Sequence, residues 1–139
     1  MHQQRMKLLL VDGDVARAER LARRLSGPEW DIQFADNGAS ALLKAHAARP
    51  DVVVSTSELP VLNGFLMLQA LRSEAQTCHL PVILLTEGSS HEELARGWKS
   101  GADLCIPRGQ GDVDVVGTLH RALSGLIRRD SHLEAPVLA

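Results

Sequence analysis

The sequence predicts one α/β domain built on a mostly parallel sheet. Short apolar runs alternate with amphipathic segments five times along the chain, the pattern left by repeated strand–helix units. The runs are short and read as buried strands, which suits a sheet covered by helices on its faces. The 139 residues are 45% hydrophobic but only 3% aromatic. One core of Leu, Val, Ile and Ala, packed at ordinary interior density, fits that length and composition.

Taken in order, Leu8–Val11 is the expected first strand and Val15–Leu25 the first helix. Asp31–Ala35 and Ala39–Ala48 form the second pair, Val52–Ser55 and Phe65–Glu74 the third, Val82–Thr86 and His91–Ser100 the fourth. Leu104–Pro107 and Val113–Ile127 close the series. Each amphipathic segment carries apolar residues at helical spacing, most clearly the last, where Val116, Leu119, Leu123, Leu126 and Ile127 share a stripe. Gly27 with Pro28, Arg49 with Pro50, and Gly101 mark element boundaries. Pro107 has no amide hydrogen for the ladder, which places the fifth strand at a sheet edge. Periodicity is lost from Asp130 onward, so the domain is expected over residues 1–128, with 129–139 a tail or the start of a linker.

A formal charge of −2 and a pI near 6.3 give no electrostatic reason to expect nucleic acid or anionic lipid as partners, and protein partners are expected instead. The basic cluster Arg17, Arg20, Arg23 and Arg24 lies within the first helix and reads as a solvated face. Two cysteines, Cys78 and Cys105, cannot build a disulfide framework, and they fall at opposite ends of neighbouring strands. With no secretory leader and no apolar run near the length of a membrane span, the expected location is the reducing cytoplasm.

This order of elements, from about Lys7 to Arg128, resembles the receiver domain of two-component response regulators. Val11, Asp12 and Asp14 resemble the family's acidic turn, and Pro50, Asp51 and the valines after it the approach to its phosphorylation site. Leu59, Pro60, Asn63 and Gly64 resemble its Met-Pro and Asp-Gly loop. Pro81, Val82, Ile83 and Thr86 resemble the strand bearing the switch hydroxyl, and Gly101, Ala102 and Asp103 the Gly-Ala-Asp signature. The resemblance implies a doubly wound, flavodoxin-like fold of five parallel strands in the order 2-1-3-4-5. The departures fall on the chemistry. Thr56 stands in the phosphoacceptor aspartate position, Gly13 in that of the second acidic residue, Arg108 in that of the invariant lysine, Gly109 in that of the following proline, and Cys105 in that of the aromatic switch residue.

A Mg²⁺ site needs hard oxygen ligands, and the resemblance puts its two direct carboxylates at Gly13 and Thr56, where none exists. A threonine hydroxyl is also a poor nucleophile without a base to activate it. The expectation is therefore a degenerate pocket made of Asp12, Gly13, Asp14, Thr56, Thr86 and Arg108, with no metal, no cofactor and no enzymatic activity. Asp14 reads as the N-cap of the first helix rather than a ligand. Asp12, partly buried without a divalent ion, needs a compensating charge. Arg108 is the expected source, turned inward, unless it swings into solvent beside Gly109 and Gly111. The Thr86 hydroxyl has three possible acceptors: Thr56, Asp12 or backbone.

The function expected on these grounds is a pseudo-receiver that signals through protein contacts. The resemblance places those contacts, with a partner or a second copy of the chain, on the fourth helix, fifth strand and fifth helix. Cys105 belongs to that switch face, and Trp98 is a possible aromatic anchor on it, although packing beside Leu94 is the simpler expectation. A second surface is the loop of Val61 and Leu62 leading to Leu66, apolar where a loop is usually polar. Two alternatives stand beside this reading: phosphorylation of a hydroxyl among Ser55, Thr56 and Ser57 that recruits Arg108, and a small-ligand site at the strand ends. Against the latter, Asp12 and Asp14 would repel a phosphate group, and no glycine-rich phosphate loop occurs.

Overall fold

A computed structural model describes residues 5–25, 27–88, 90–108 and 115–125. Five strands, β1 (Met6–Val11), β2 (Trp30–Ala35), β3 (Val52–Thr56), β4 (Val82–Thr86) and β5 (Leu104–Pro107), alternate with α1 (Val15–Leu25), α2 (Gly38–Ala48), α3 (Gly64–Arg72) and α4 (His91–Ser100). A fifth helix, α5, covers residues 115–125. All strand pairs are parallel and the order is β2-β1-β3-β4-β5, as expected. The C-terminal end expected for the last helix, Gly109, and the tail 129–139 lie outside the described residues.

The sheet is covered on both faces, which explains why its strands are continuously apolar. On one face Leu8, Leu10, Val54, Ile83 and Leu85 pack against Ala18, Leu21 and Leu25 of α1 and Leu119 and Leu123 of α5. On the other, Leu9, Val11, Val53 and Leu84 pack against Ala41 and Ala45 of α2 and Met67, Leu68 and Leu71 of α3. Every residue of β3 and β4 is buried, and each large aliphatic side chain so removed from water contributes about 1.5–3 kcal/mol. Strand β5 sits at the edge, where Pro107 pairs only with Thr86 of β4, so its missing N–H costs no ladder bond.

Two departures from the sequence-based boundaries have local causes. Strand β1 starts at Met6, because Met6 and Lys7 pair with Trp30 and Asp31 although Lys7 interrupts the apolar run. Helix α3 ends at Arg72: Ser73 caps it, its hydroxyl donating to Ala70 O at 2.8 Å, the local competition that makes serine a poor interior helix residue. Helix α4 runs from the Ser90 N-cap to Gly101, whose φ of 108° is left-handed and suits glycine. Gly97 of α4 lets the helix press onto Leu84 and the Cys105 sulfur, which would collide with any Cβ there.

Candidate functional site

The register brings the pocket residues together at the carboxyl ends of the strands. Val11 pairs with Ser55, so Asp12 and Thr56 follow side by side, and Thr86 pairs with Pro107, which precedes Arg108. Asp12 is only 2% exposed. Its amide donates to Ala35 O at 3.0 Å, and its Oδ1 accepts from the Asp14 amide at 2.9 Å, an Asx-type turn that aims the carboxylate over the start of α1.

The closest partner of that carboxylate is Arg17. Its Nε donates to Asp12 Oδ2 and its Nη2 to Oδ1, both at 2.8 Å, the bidentate geometry that guanidinium and carboxylate favour. The Arg17 pKa is raised, first by this hydrogen bond and then by the Asp12 and Glu87 charges. Arg108 does turn inward, with its side chain 8% exposed, but its Nη1 lies 3.8 Å from Asp12 Oδ2, at ion-pair rather than hydrogen-bond distance. The expected compensation of Asp12 by Arg108 is thus corrected to a two-arginine arrangement in which Arg17 makes the short contacts. The reading of the α1 arginines as one solvated face is corrected at the same time: Arg20, Arg23 and Arg24 are exposed, while Arg17 folds back over Asp12. Arg17 was missed because a five-residue spacing across a strand–helix junction is no helical signal. The need of a buried aspartate for the nearest cation was the usable clue.

The remaining pocket positions are occupied by local bonds. Asp14 caps α1, its Oδ1 accepting from the Arg17 amide at 3.0 Å. That bond, ahead of the nearby Arg17 and Arg20 charges, lowers its pKa. Gly13 is exposed and lies close to Pro60 and the Asp36 carbonyl. The Thr56 hydroxyl, 1% exposed, donates to Glu58 O at 3.1 Å. The Thr86 hydroxyl, fully buried, donates to Gly88 O at 2.8 Å, so of its three possible acceptors it takes backbone. A divalent cation does not fit this donor set. Both oxygens of the sole carboxylate among these inner positions already accept from a guanidinium, a second guanidinium stands behind it, and Thr56 offers one hydroxyl already engaged as a donor.

The proposed contact residues separate in space. Trp98 is 50% exposed on α4, which leaves half of its surface for a partner and is compatible with partial burial; Gly97 and Ser100 are the fully buried residues of that helix. Cys105, expected on the switch face, is tucked between β5 and α4 against Gly97, and burial raises its thiol pKa. Val61 of the β3–α3 loop is 81% exposed and Leu66, in the first turn of α3, 44%, whereas Leu62 of the loop packs on the core. Val61 has φ 69° at the centre of a turn closed by Leu62 N–H to Pro60 O at 2.7 Å, an unusual conformation for a β-branched residue. Beside the pocket, between α3 and α4, a cleft of about 750 Å³ is walled by Ser57, Phe65, Glu87, Glu93 and Arg96, with the Arg96 guanidinium 4.2 Å from the Phe65 ring centre.

Parallel strands in this order, with the pocket at their carboxyl ends and an acidic turn after β1, define a receiver-type signalling domain. The chain belongs to the response regulator receiver domain family, whose model matches residues 8–119. It is 31% identical over 131 residues, 94% of its length, to the transcriptional regulatory protein TrcR of Mycobacterium tuberculosis, of which it covers 49%. It is 38% identical over 100 residues, 72% of its length, to the probable transcriptional regulatory protein TcrX of the same organism, of which it covers 42%. The chain therefore spans about half the length of the curated relatives it matches. The chemotaxis response regulator CheY4 of Vibrio cholerae superposes with a TM-score of 0.77 at 28% identity, over 88% of this chain and 99% of that one. Among the described residues no helix is long and apolar enough to cross a membrane.

Proposed function

We propose that this receiver domain is a pseudo-receiver: a cytoplasmic signalling module that works through protein contacts and without aspartyl phosphorylation, in a two-component or related pathway. The observation that supports the reading is the closed Asp12–Arg17 ion pair, with both bonds at 2.8 Å. It puts a tethered cation on the one inner carboxylate, beside a threonine in the acceptor position. Aspartyl phosphorylation needs a carboxylate nucleophile and a divalent ion to neutralise the incoming phosphoryl oxygens; here the first is replaced by Thr56 and the second has no free ligands. The degenerate pocket is accordingly Asp12, Gly13, Asp14, Thr56, Thr86 and Arg108, with Arg17 added. Kinase modification of Ser55, Thr56 or Ser57 is disfavoured by their burial, none being more than 1% exposed.

The contact surface we favour is the one bearing Trp98, and the exposed Val61 and Leu66 form the second. No nucleic-acid contact is proposed for this domain, whose formal charge is −2. The test is chemical. Incubation with Mg²⁺ and acetyl phosphate, or with beryllofluoride, is expected to change neither the intact mass nor the amide spectrum. A stoichiometric phosphoryl adduct would overturn the proposal.

A further inference from the structure

The β4–α4 loop is held by a side chain that belongs to neither the pocket nor the exposed surface. Glu93 occupies the third position of α4 after the Ser90 N-cap, where its own amide donates to Ser90 Oγ at 3.2 Å. A glutamate at this position commonly reaches back to the amide of the cap residue. Here it reaches further. Glu93 Oε2 accepts from the Glu87 amide and Oε1 from the Gly88 amide, each at 3.0 Å, and the Ser57 hydroxyl donates to Oε2 at 3.4 Å. One carboxylate therefore ties together the end of β3, the residues following β4, and the first turn of α4.

The same loop touches the pocket. The Thr86 hydroxyl donates to Gly88 O at 2.8 Å, and the Arg108 amide donates to Thr86 O at 2.9 Å. At its other end, α4 carries the half-exposed Trp98. We propose that Glu93 is a positioning residue, a latch that sets where α4, and with it Trp98, stands relative to the β4–α4 loop. The inference does not depend on whether the domain accepts a phosphoryl group, because the latch is made of bonds present without one. A negative carboxylate between two amide donors also favours this loop conformation over any that would leave the carboxylate or the amides unpaired.

The test is amide hydrogen exchange on the folded domain by NMR, comparing Glu93→Gln and Glu93→Ala with the unmodified protein. Exchange at Glu87 and Gly88 is expected to accelerate about tenfold or more, the size of one lost charge-assisted hydrogen bond, and the Trp98 indole resonance is expected to shift while that of buried Trp30 does not. Glu93→Gln keeps the shape and turns an NH₂ group toward one donor, so it decides the matter if Glu93→Ala fails to fold. Retained protection at Leu9 and Val53 shows that the fold is intact. Glu92→Gln, the same charge change one residue away, and Ser90→Ala, which removes the cap and not the latch, are expected to leave Glu87 and Gly88 protected. Unchanged exchange in Glu93→Gln overturns the latch, and loosened amides with an unmoved Trp98 resonance overturn its coupling to α4.

Discussion

Replacing Arg17 by alanine tests the central contact of the pocket. Asp12, 2% exposed in the parent chain, loses two bonds of 2.8 Å and keeps the Asp14 amide and the Arg108 guanidinium 3.8 Å away. Breaking a fully buried ion pair costs about 3–5 kcal/mol. Arg17 is 29% exposed, so solvent screens part of the interaction, and Arg108 still neutralises the carboxylate at longer range. The expected loss is therefore about 2 kcal/mol. With a urea m-value of about 1–3 kcal/mol/M for a small domain, the midpoint should fall by about 1 M at constant m. Arg108 stands 3.8 Å from Asp12, so its coupling to Asp12 in a double-mutant cycle should be smaller than that of Arg17. Arg20→Ala, an exposed neighbour on the same helix, should stay within about 0.5 kcal/mol of the parent. In a double-mutant cycle, Asp12→Asn with Arg17→Ala should hurt less than the sum of the two. Equal costs for Arg17→Ala and Arg20→Ala, or a larger coupling of Asp12 to Arg108 than to Arg17, would refute the assignment of Arg17 as the principal counter-ion.

Three further outcomes are expected. Arg72 donates to Gly101 O, Cys78 O, Leu80 O and Asp103 Oδ2 at 2.7–3.2 Å; Arg72→Ala should therefore cost about 2–3 kcal/mol in the same urea assay, and a neutral result would show that this hub is idle. The raised pKa of Cys105 means that its thiol stays neutral in the folded chain where the unfolded thiol ionises. Its contribution is then fully present below pH 9.0, the ordinary value, and lost as pH rises through the folded pKa; Cys105→Ser should flatten that alkaline decline, which thermal melts between pH 8 and 10.5 would reveal. Trp98→Ala should lower partner capture by the intact domain while shifting stability by no more than about 0.5 kcal/mol, and unchanged capture would move the contact surface to Val61 and Leu66.

How far the sequence determines this protein depends on the range of the interactions involved. The helices Val15–Leu25 and His91–Ser100 and the strands Val82–Thr86 and Leu104–Pro107 were legible to the residue, because apolar periodicity, caps and proline act within a few positions. The pocket members Asp12, Thr56, Thr86 and Arg108 were legible as strand-end residues through the resemblance to a known family, and it is that resemblance which sets Thr56 against the acceptor position. What the tertiary structure decided were the partners. Arg17 rather than Arg108 makes the short contacts to Asp12, since the fold brings the first turn of α1 over the residue that follows β1, a juxtaposition no linear spacing encodes. Trp98 faces outward and Cys105 inward because Gly97 lets α4 lie directly on β5, which turns the tryptophan away from the core. The spacing Ser90-His91-Glu92-Glu93 is a helix-start pattern that does not identify the partners of Glu93. Only the folded path of the β4–α4 loop places two backbone amides in front of its carboxylate, where hydrogen bonding to a charge is strong enough to select one conformation.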